Sequence, residues 1–203
     1  AGYDVDKSIA TVDSTVNLAI ASNMELAETT GILTSIMSAF GSKAEEATHI
    51  TDILATTASN SNTDVSQLGE AFKNVAPTAS ALGYEIEDVS IVLGMMANNA
   101  IQGGEAGNAL KSILASLAKP TKNAQAIMDE YGLSLTRANG EAKPFLEVVG
   151  DMRKAFGNLD EVQQTQIATT MVGKQQMSKF LAIINGSDEG FTQLTTAIEN
   201  CDG

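Results

Sequence analysis

Residues able to do acid–base, nucleophilic or metal chemistry are few and scattered in this sequence. The 203 residues include one histidine, His49, and one cysteine, Cys201. Zinc centres are built from several His, Cys and carboxylate ligands, and this pair does not supply such a set. A Ser–His–Asp triad would have to recruit His49. That residue lies between Thr48 and Ile50 in a helical pattern and reads as a solvent-facing or partly buried helix position. Cys201 has no partner for an intrachain disulfide and reads as an incidental thiol near a frayed end. Carboxylates are plentiful, so the pairs Glu45/Glu46, Glu87/Asp88 and Asp188/Glu189 arise readily. Each falls at an expected helix start, where negative charge complements the helix dipole, and none asks to be read as a glycosidase acid pair. No EF-hand spacing is present.

The one glycine-rich loop, Gly103-Gly104-Glu105-Ala106-Gly107, leads into a helix. Helix N-termini can hold anions, but Asn108-Ala109-Leu110-Lys111 follows where a phosphate loop needs Lys-Ser/Thr, and no strand pattern precedes it. A structural turn is expected. The eight methionines, Met95 and Met96 among them, fall mostly at apolar helical positions and read as core filler. The sequence therefore predicts a non-enzyme with no catalytic, cofactor-binding or metal-binding residue and no small-molecule substrate. Its binding residues are not assigned.

Composition points the same way. The net charge is −13, with 12 basic against 25 acidic residues. Nucleic-acid binding needs clustered Lys and Arg to displace phosphate counterions, so sequence-specific nucleic-acid recognition is not expected. No stretch approaches the ~20 apolar residues of a membrane span. The chain begins at Ala1 without Met and ends at Gly203 directly after a helical pattern. It is expected to be part of a much longer protein.

The elements that would position these residues are helices. Apolar residues recur with the 3.6 period through most of the chain. A first segment carries Val12, Val16, Leu18 and Ile20, and a second Leu26, Leu33, Ile36, Met37 and Phe40. Ser42-Lys43-Ala44-Glu45 reads as a capping box opening a helix with Ala47, Ile50, Ile53, Leu54 and Ala58 inward. After a polar turn at Ser59–Thr63, Asp64 opens a helix with Val65, Leu68, Phe72 and Val75 inward, stopped near Pro77. A shift of 42 residues reproduces this hairpin: Gly41 pairs with Gly83, Ala47 with Val89, Ile50 with Val92, Leu68 with Leu110, Phe72 with Leu114 and Val75 with Leu117. Gln102-Gly103-Gly104 makes the second turn, and Pro120 ends the second hairpin.

Beyond Pro120 the pattern changes. A short helix is expected over 121–131. A small β-hairpin or extended excursion is expected near residues 132–143, where Asn139-Gly140 is a turn signal. Pro144 fits a helix first turn, with Phe145, Val148, Val149, Met152 and Phe156 on one face. Asn158-Leu159-Asp160-Glu161 reads as a further capping box, and helices carrying Met171, Phe180 and Ile198 complete the chain. The expectation is an all-α fold of stacked helical hairpins, about ten helices in one domain over 1–203. A sub-boundary is expected near 120, between repeated hairpins (1–120) and a C-terminal helical part (121–203).

An ordered series of short motifs resembles the phage tail tape measure family of the long-tailed lactococcal-phage type. It runs from Asn23-Met24-Glu25-Leu26-Ala27-Glu28 through Ala39-Phe40-Gly41, Asp52-Ile53-Leu54-Ala55, Leu68-Gly69-Glu70-Ala71-Phe72 and Val75-Ala76-Pro77 to Ala81-Leu82-Gly83. The most specific element is Ile101-Gln102-Gly103-Gly104-Glu105-Ala106-Gly107-Asn108-Ala109-Leu110. Leu117-Ala118-Lys119-Pro120-Thr121 follows it, then Tyr131-Gly132-Leu133-Ser134 and Asn139-Gly140. Lys111 stands where that family tends to have Arg, and Val172-Gly173 replaces its Phe-Gly pair. The resemblance covers roughly residues 15–185. It implies the conserved globular part of a long tail protein, made in the bacterial host cytoplasm and carried in the virion tail. The role implied is tail assembly, tail-length determination and genome ejection. The partners implied are tail-tube, tail-tip and assembly-chaperone proteins, and other copies of itself. Two other readings stay open at this point: a non-phage helical-repeat adaptor or secretion-associated module, and a peptidoglycan hydrolase.

Overall fold

The computed structural model describes residues 5–202. The termini Ala1 and Gly203, on which the expectation of a longer parent chain rests, lie outside the described residues. Eleven α-helices follow one another among the described residues: α1 (Val5–Ser22), α2 (Leu26–Phe40), α3 (Ala47–Asn60), α4 (Val65–Ala81), α5 (Ile86–Asn98), α6 (Gly103–Ala118), α7 (Lys122–Glu130), α8 (Phe145–Phe156), α9 (Glu161–Val172), α10 (Met177–Ile184) and α11 (Asp188–Glu199). The all-α expectation holds. The excursion is present as well. Thr136 bridges Ala142 in antiparallel fashion, flanked by Arg137 N–H donating to Glu141 O at 2.8 Å and Lys143 N–H to Leu135 O at 2.8 Å.

The first six helices form three hairpin layers rather than two. α1, α3 and α5 lie side by side in one row, and α2, α4 and α6 in the other. Every apolar pair read from the 42-residue shift is buried in both copies, from Ala47/Val89 to Val75/Leu117. The same i, i+4, i+7 triplet appears a third time in α2 as Thr29, Leu33 and Ile36, matching Leu68, Phe72 and Val75 in α4. The paired glycines have a geometric reason. Gly41 and Gly83 sit after α2 and α4 with φ of +70° and +76°, a left-handed conformation that side chains disfavour. Helices α9, α10 and α11 close the far side of the stack: α9 on α6, α10 on α5 and α6, α11 on α3 and α5. One apolar core runs from Leu18 to Ile198.

Several local expectations need correction. In the first segment Leu18 is buried as expected, but Val12 and Ile20 are exposed, and Thr15 and Ala19 turn inward beside Leu18. Leu26 is also exposed. The box at Ser42 is displaced: Ser42 N–H returns to Met37 O at 2.9 Å, so it finishes α2. Glu46, not Glu45, accepts from Lys43 N–H at 2.6 Å, opening a short 3-10 turn ahead of α3. The later box is Asp160 with Gln163, whose backbone amides and side chains bond reciprocally at 2.8 and 3.1 Å.

Pro77 does not stop α4, which continues to Ala81. The missing amide forfeits one bond, yet Ala76 and Ala79 stay buried on this helix, and the stop comes at Gly83. The expected turn at Gln102-Gly103 is present, with Gln102 extended as the N-cap of α6 and Gly103 at φ +56°; it begins earlier than expected, where Ala100 takes φ +61°. Ser59 and Asn60 still belong to α3, and Pro144 precedes α8 by one residue.

Candidate functional site

The residues able to do chemistry sit where three layers of sequence meet. His49 lies on α3, Glu87 in the first turn of α5, and Cys201 and Asp202 just beyond α11. Packing of α11 against α3 and α5 brings them together. His49 Nε2 is 2.6 Å from a Glu87 carboxylate oxygen, and Nδ1 is 2.5 Å from Asp202 Oδ1. The hydrogen bond to Glu87 is the main cause of an imidazole pKa raised above its ordinary value. Partial burial opposes it, and Asp202 assists. Cys201 is half-buried and packs against the core, with its amide bonded to Ile198 O, so it is not a frayed-end thiol. Burial pushes its pKa up, reinforced by the negative charges of Asp202, Asp52 and Glu87. Cysteine nucleophiles need the opposite environment, one that stabilises thiolate.

The other candidates are accounted for by packing. Glu45, Glu46, Glu87, Asp88, Asp188 and Glu189 all stand in first helical turns. Asp88 also reaches α8, accepting from Leu146 N–H at 3.3 Å; burial raises its pKa despite that bond. The glycine-rich segment is structural: Gly103 takes φ +56° at the start of α6, and Gly107 lies buried where α6 crosses α4 and permits the close approach of the two helices. Met95 and Met96 are core. Sequence reading missed the meeting of His49 with Glu87 and Asp202, because the partners lie 38 and 153 residues away.

Tyr84 makes a testable neighbour to this region. It is buried, stacks on Phe145 with centroids 4.7 Å apart, and its pKa is pushed up to about 12, chiefly by desolvation and secondarily by Asp88. A raised folded-state pKa stabilises the fold fully below the unfolded value of 10.0 and loses that contribution as pH rises through about 12. The loss amounts to roughly 2–3 kcal/mol. Thermal melts across this alkaline window will show wild type losing stability more steeply than Tyr84→Phe. Parallel pH profiles would refute the assignment.

A second surface feature lies at the opposite end of the stack. Helices α9–α11 cover the α5–α6 layer, whereas the outer side of α1–α2 has no such cover among the described residues. A groove at the edge of this layer is lined by Val16, Ala19, Ile20, Asn23, Met24 and Leu26 together with Glu25, Glu28 and, from α4, Ser66, and Ile20 and Leu26 are 74% and 47% exposed. At the place of Leu26, the next layer has Val65, which is buried.

These features define a stacked-hairpin helical scaffold, with one end uncovered among the described residues and polar clusters that tie its helices together. The chain belongs to the phage-related minor tail protein family, whose sequence profile matches residues 1–173. It is 32% identical over its whole length to the tape measure protein of Pneumococcus phage Dp-1. It is 27% identical, again over its whole length, to the probable tape measure protein of Escherichia phage P2. It spans 18% and 25% of the lengths of those relatives. No solved structure matches it significantly. No described helix is long and apolar enough to cross a membrane.

Proposed function

We propose that this chain is a globular helical region of a phage tail tape measure protein, a component of the virion tail made in the host cytoplasm. It serves tail assembly, tail-length determination and genome ejection through helix-face contacts with other tail proteins, without catalysis. The family match and the two tape measure relatives support this reading over a non-phage adaptor. The observation that carries the contact mechanism is the open α1–α2 end. In the inner layers the equivalent side is covered by the preceding hairpin, so a further helix packed on this face is the occupant that the repeat geometry prepares for, supplied by a neighbouring tail protein or by another part of the same long polypeptide. Exposed Ile20 and Leu26 beside a groove are the apolar anchors such a contact uses. The acidic surface suits passage beside DNA without adhesion.

The test is a phage carrying Ile20→Glu with Leu26→Glu. Both positions are exposed, so the purified segment is expected to melt as wild type does while electron microscopy shows tails missing or of aberrant length. Normal tails and full infectivity would overturn the contact mechanism. Self-association of the wild-type segment that the double variant abolishes would reassign the occupant to a second copy. For the absence of catalysis, clearing of cell walls by the purified segment, lost on substitution of a single Glu, would overturn the non-enzyme reading.

A further inference from the structure

His49, Cys201 and Asp202 bring together an imidazole, a thiol and a carboxylate from two distant parts of the chain. Their donor atoms all lie within 4.8 Å of one another. We propose that His49 Nδ1, Cys201 Sγ and the Asp202 carboxylate form a binding site for a divalent metal ion of the zinc type, with Glu87 orienting the imidazole and water completing the shell.

The donor chemistry selects the ion class. Nitrogen and sulfur donors favour zinc and its neighbours over calcium or magnesium, which take oxygen shells. The geometry is close to what such an ion needs. With bonds of about 2.0–2.3 Å in a tetrahedral shell, ligand atoms sit roughly 3.3–3.8 Å apart. Asp202 Oδ1 is 2.5 Å from Nδ1, so it must open by about 1 Å. Its side chain is 76% exposed and is free to do so. Glu87 occupies the outer position that metal-bound histidines ordinarily fill with a carboxylate. At 2.6 Å from Nε2, it holds a proton on that nitrogen and leaves Nδ1 as the ligand atom.

An imidazolium bridging two carboxylates would satisfy His49 without any ion, but it gives Cys201 no part. The thiol lies amid the charges of Asp202, Asp52 and Glu87, a locally negative setting that favours a cation. Binding is a ligand exchange with no redox change: the Nδ1–H and S–H protons pass to solvent as the N–metal and S–metal bonds form. The ion would tie the segment after α11 to α3 and, through Glu87, to α5.

The experiment uses the whole chain, stripped with a chelator and titrated with cobalt(II) as an optical probe and with zinc(II). The expected result is a thiolate-to-cobalt charge-transfer band that saturates at one ion per chain and is displaced by zinc. A zinc-dependent rise of several degrees in melting temperature should accompany it. Cys201→Ser and His49→Ala should each remove the band and the rise, and Glu87→Gln should weaken affinity at least about tenfold. Each variant is melted with and without zinc, so any intrinsic destabilisation cancels in the difference. No band in the wild-type chain overturns the proposal. So does a zinc-dependent rise that survives in Cys201→Ser and His49→Ala, which would place the ion on the general acidic surface.

Discussion

Gly107→Ala should destabilise the fold by roughly 3 kcal/mol or more, at the upper end of what overpacking costs. A Cβ at this position would lie 2.2 Å from Ala71 O and 2.7 Å from Ala71 Cα. Those are backbone atoms of α4, so no rotamer change relieves the clash. The two helices must separate, and with them the buried contacts of Phe72, Val75, Leu110 and Leu114. Two other helical glycines turn this into a graded series. At Gly69 a Cβ would meet the Ile32 side chain at 2.6 Å, and Ile32 is only partly buried and can adjust, so Gly69→Ala should cost less than Gly107→Ala. At Gly31 nothing lies within 4 Å. There the higher helix propensity of alanine should dominate and stabilise by up to about 1 kcal/mol. Denaturant melts of the three variants should rank them in that order. Equal effects at Gly107 and Gly31 would show that propensity, not close approach, explains the glycine in α6.

The same contrast shows what the sequence makes legible. Helix periodicity and the 42-residue shift depend on which residues repeat along one chain segment, and both survive in the structure down to the matched left-handed glycines at 41 and 83. The third layer was obscure because α2 uses Thr29 where α4 has Leu68, and a buried threonine does not register as apolar. It is tolerated because its hydroxyl donates to Glu25 O at 3.1 Å. Val12 and Ile20 misled for the opposite reason: β-branched apolar side chains on the exposed side of a helix look like core until the neighbouring layer is known. The cap positions differ from the sequence pattern because Ser42 and Asn158 are good capping residues in isolation, whereas the local bonds that form join Lys43 with Glu46 and Asp160 with Gln163. Pro77 misled because the rule for proline concerns a helix alone, and α4 is held along its length by α2 and α6. The His49 cluster was illegible because α11 delivers Asp202 and Cys201 to α3 from across the whole chain.

Arg153 is the clearest case of a residue whose importance no local pattern announces, and its loss should be nearly as damaging as the change at Gly107. It stands in the last turn of α8, where a basic residue would be credited with a favourable dipole contact and little else. Instead its side chain, only 11% exposed, reaches the end of α10. Nη1 donates to Ile183 O at 3.1 Å and Ile184 O at 3.0 Å, and Nη2 donates to Gly186 O at 2.6 Å and to Asp188 at 2.5 Å. The guanidinium also lies over the Phe191 ring, 5.3 Å from its centroid. Helix ends leave carbonyls without intrahelical donors, and here one planar fork satisfies the C-terminal carbonyls of α10 and the turn into α11 together. Arg153→Ala would strand these partly buried acceptors, at roughly 1–3 kcal/mol for an unmade bond of this kind, and would free α11. Arg153→Lys should recover only a minor part, because an ammonium cannot present the same forked set of donors. The Asp188 bond is the weak member, since that carboxylate is almost fully exposed, so Asp188→Asn should cost far less than Arg153→Ala. Hydrogen exchange is the deciding measurement. In Arg153→Ala, amides of α10 and α11 should lose protection while those of α4 and α6 keep it. Uniform loss across all helices would mean that the fork supports global stability rather than the local seating of α10 and α11.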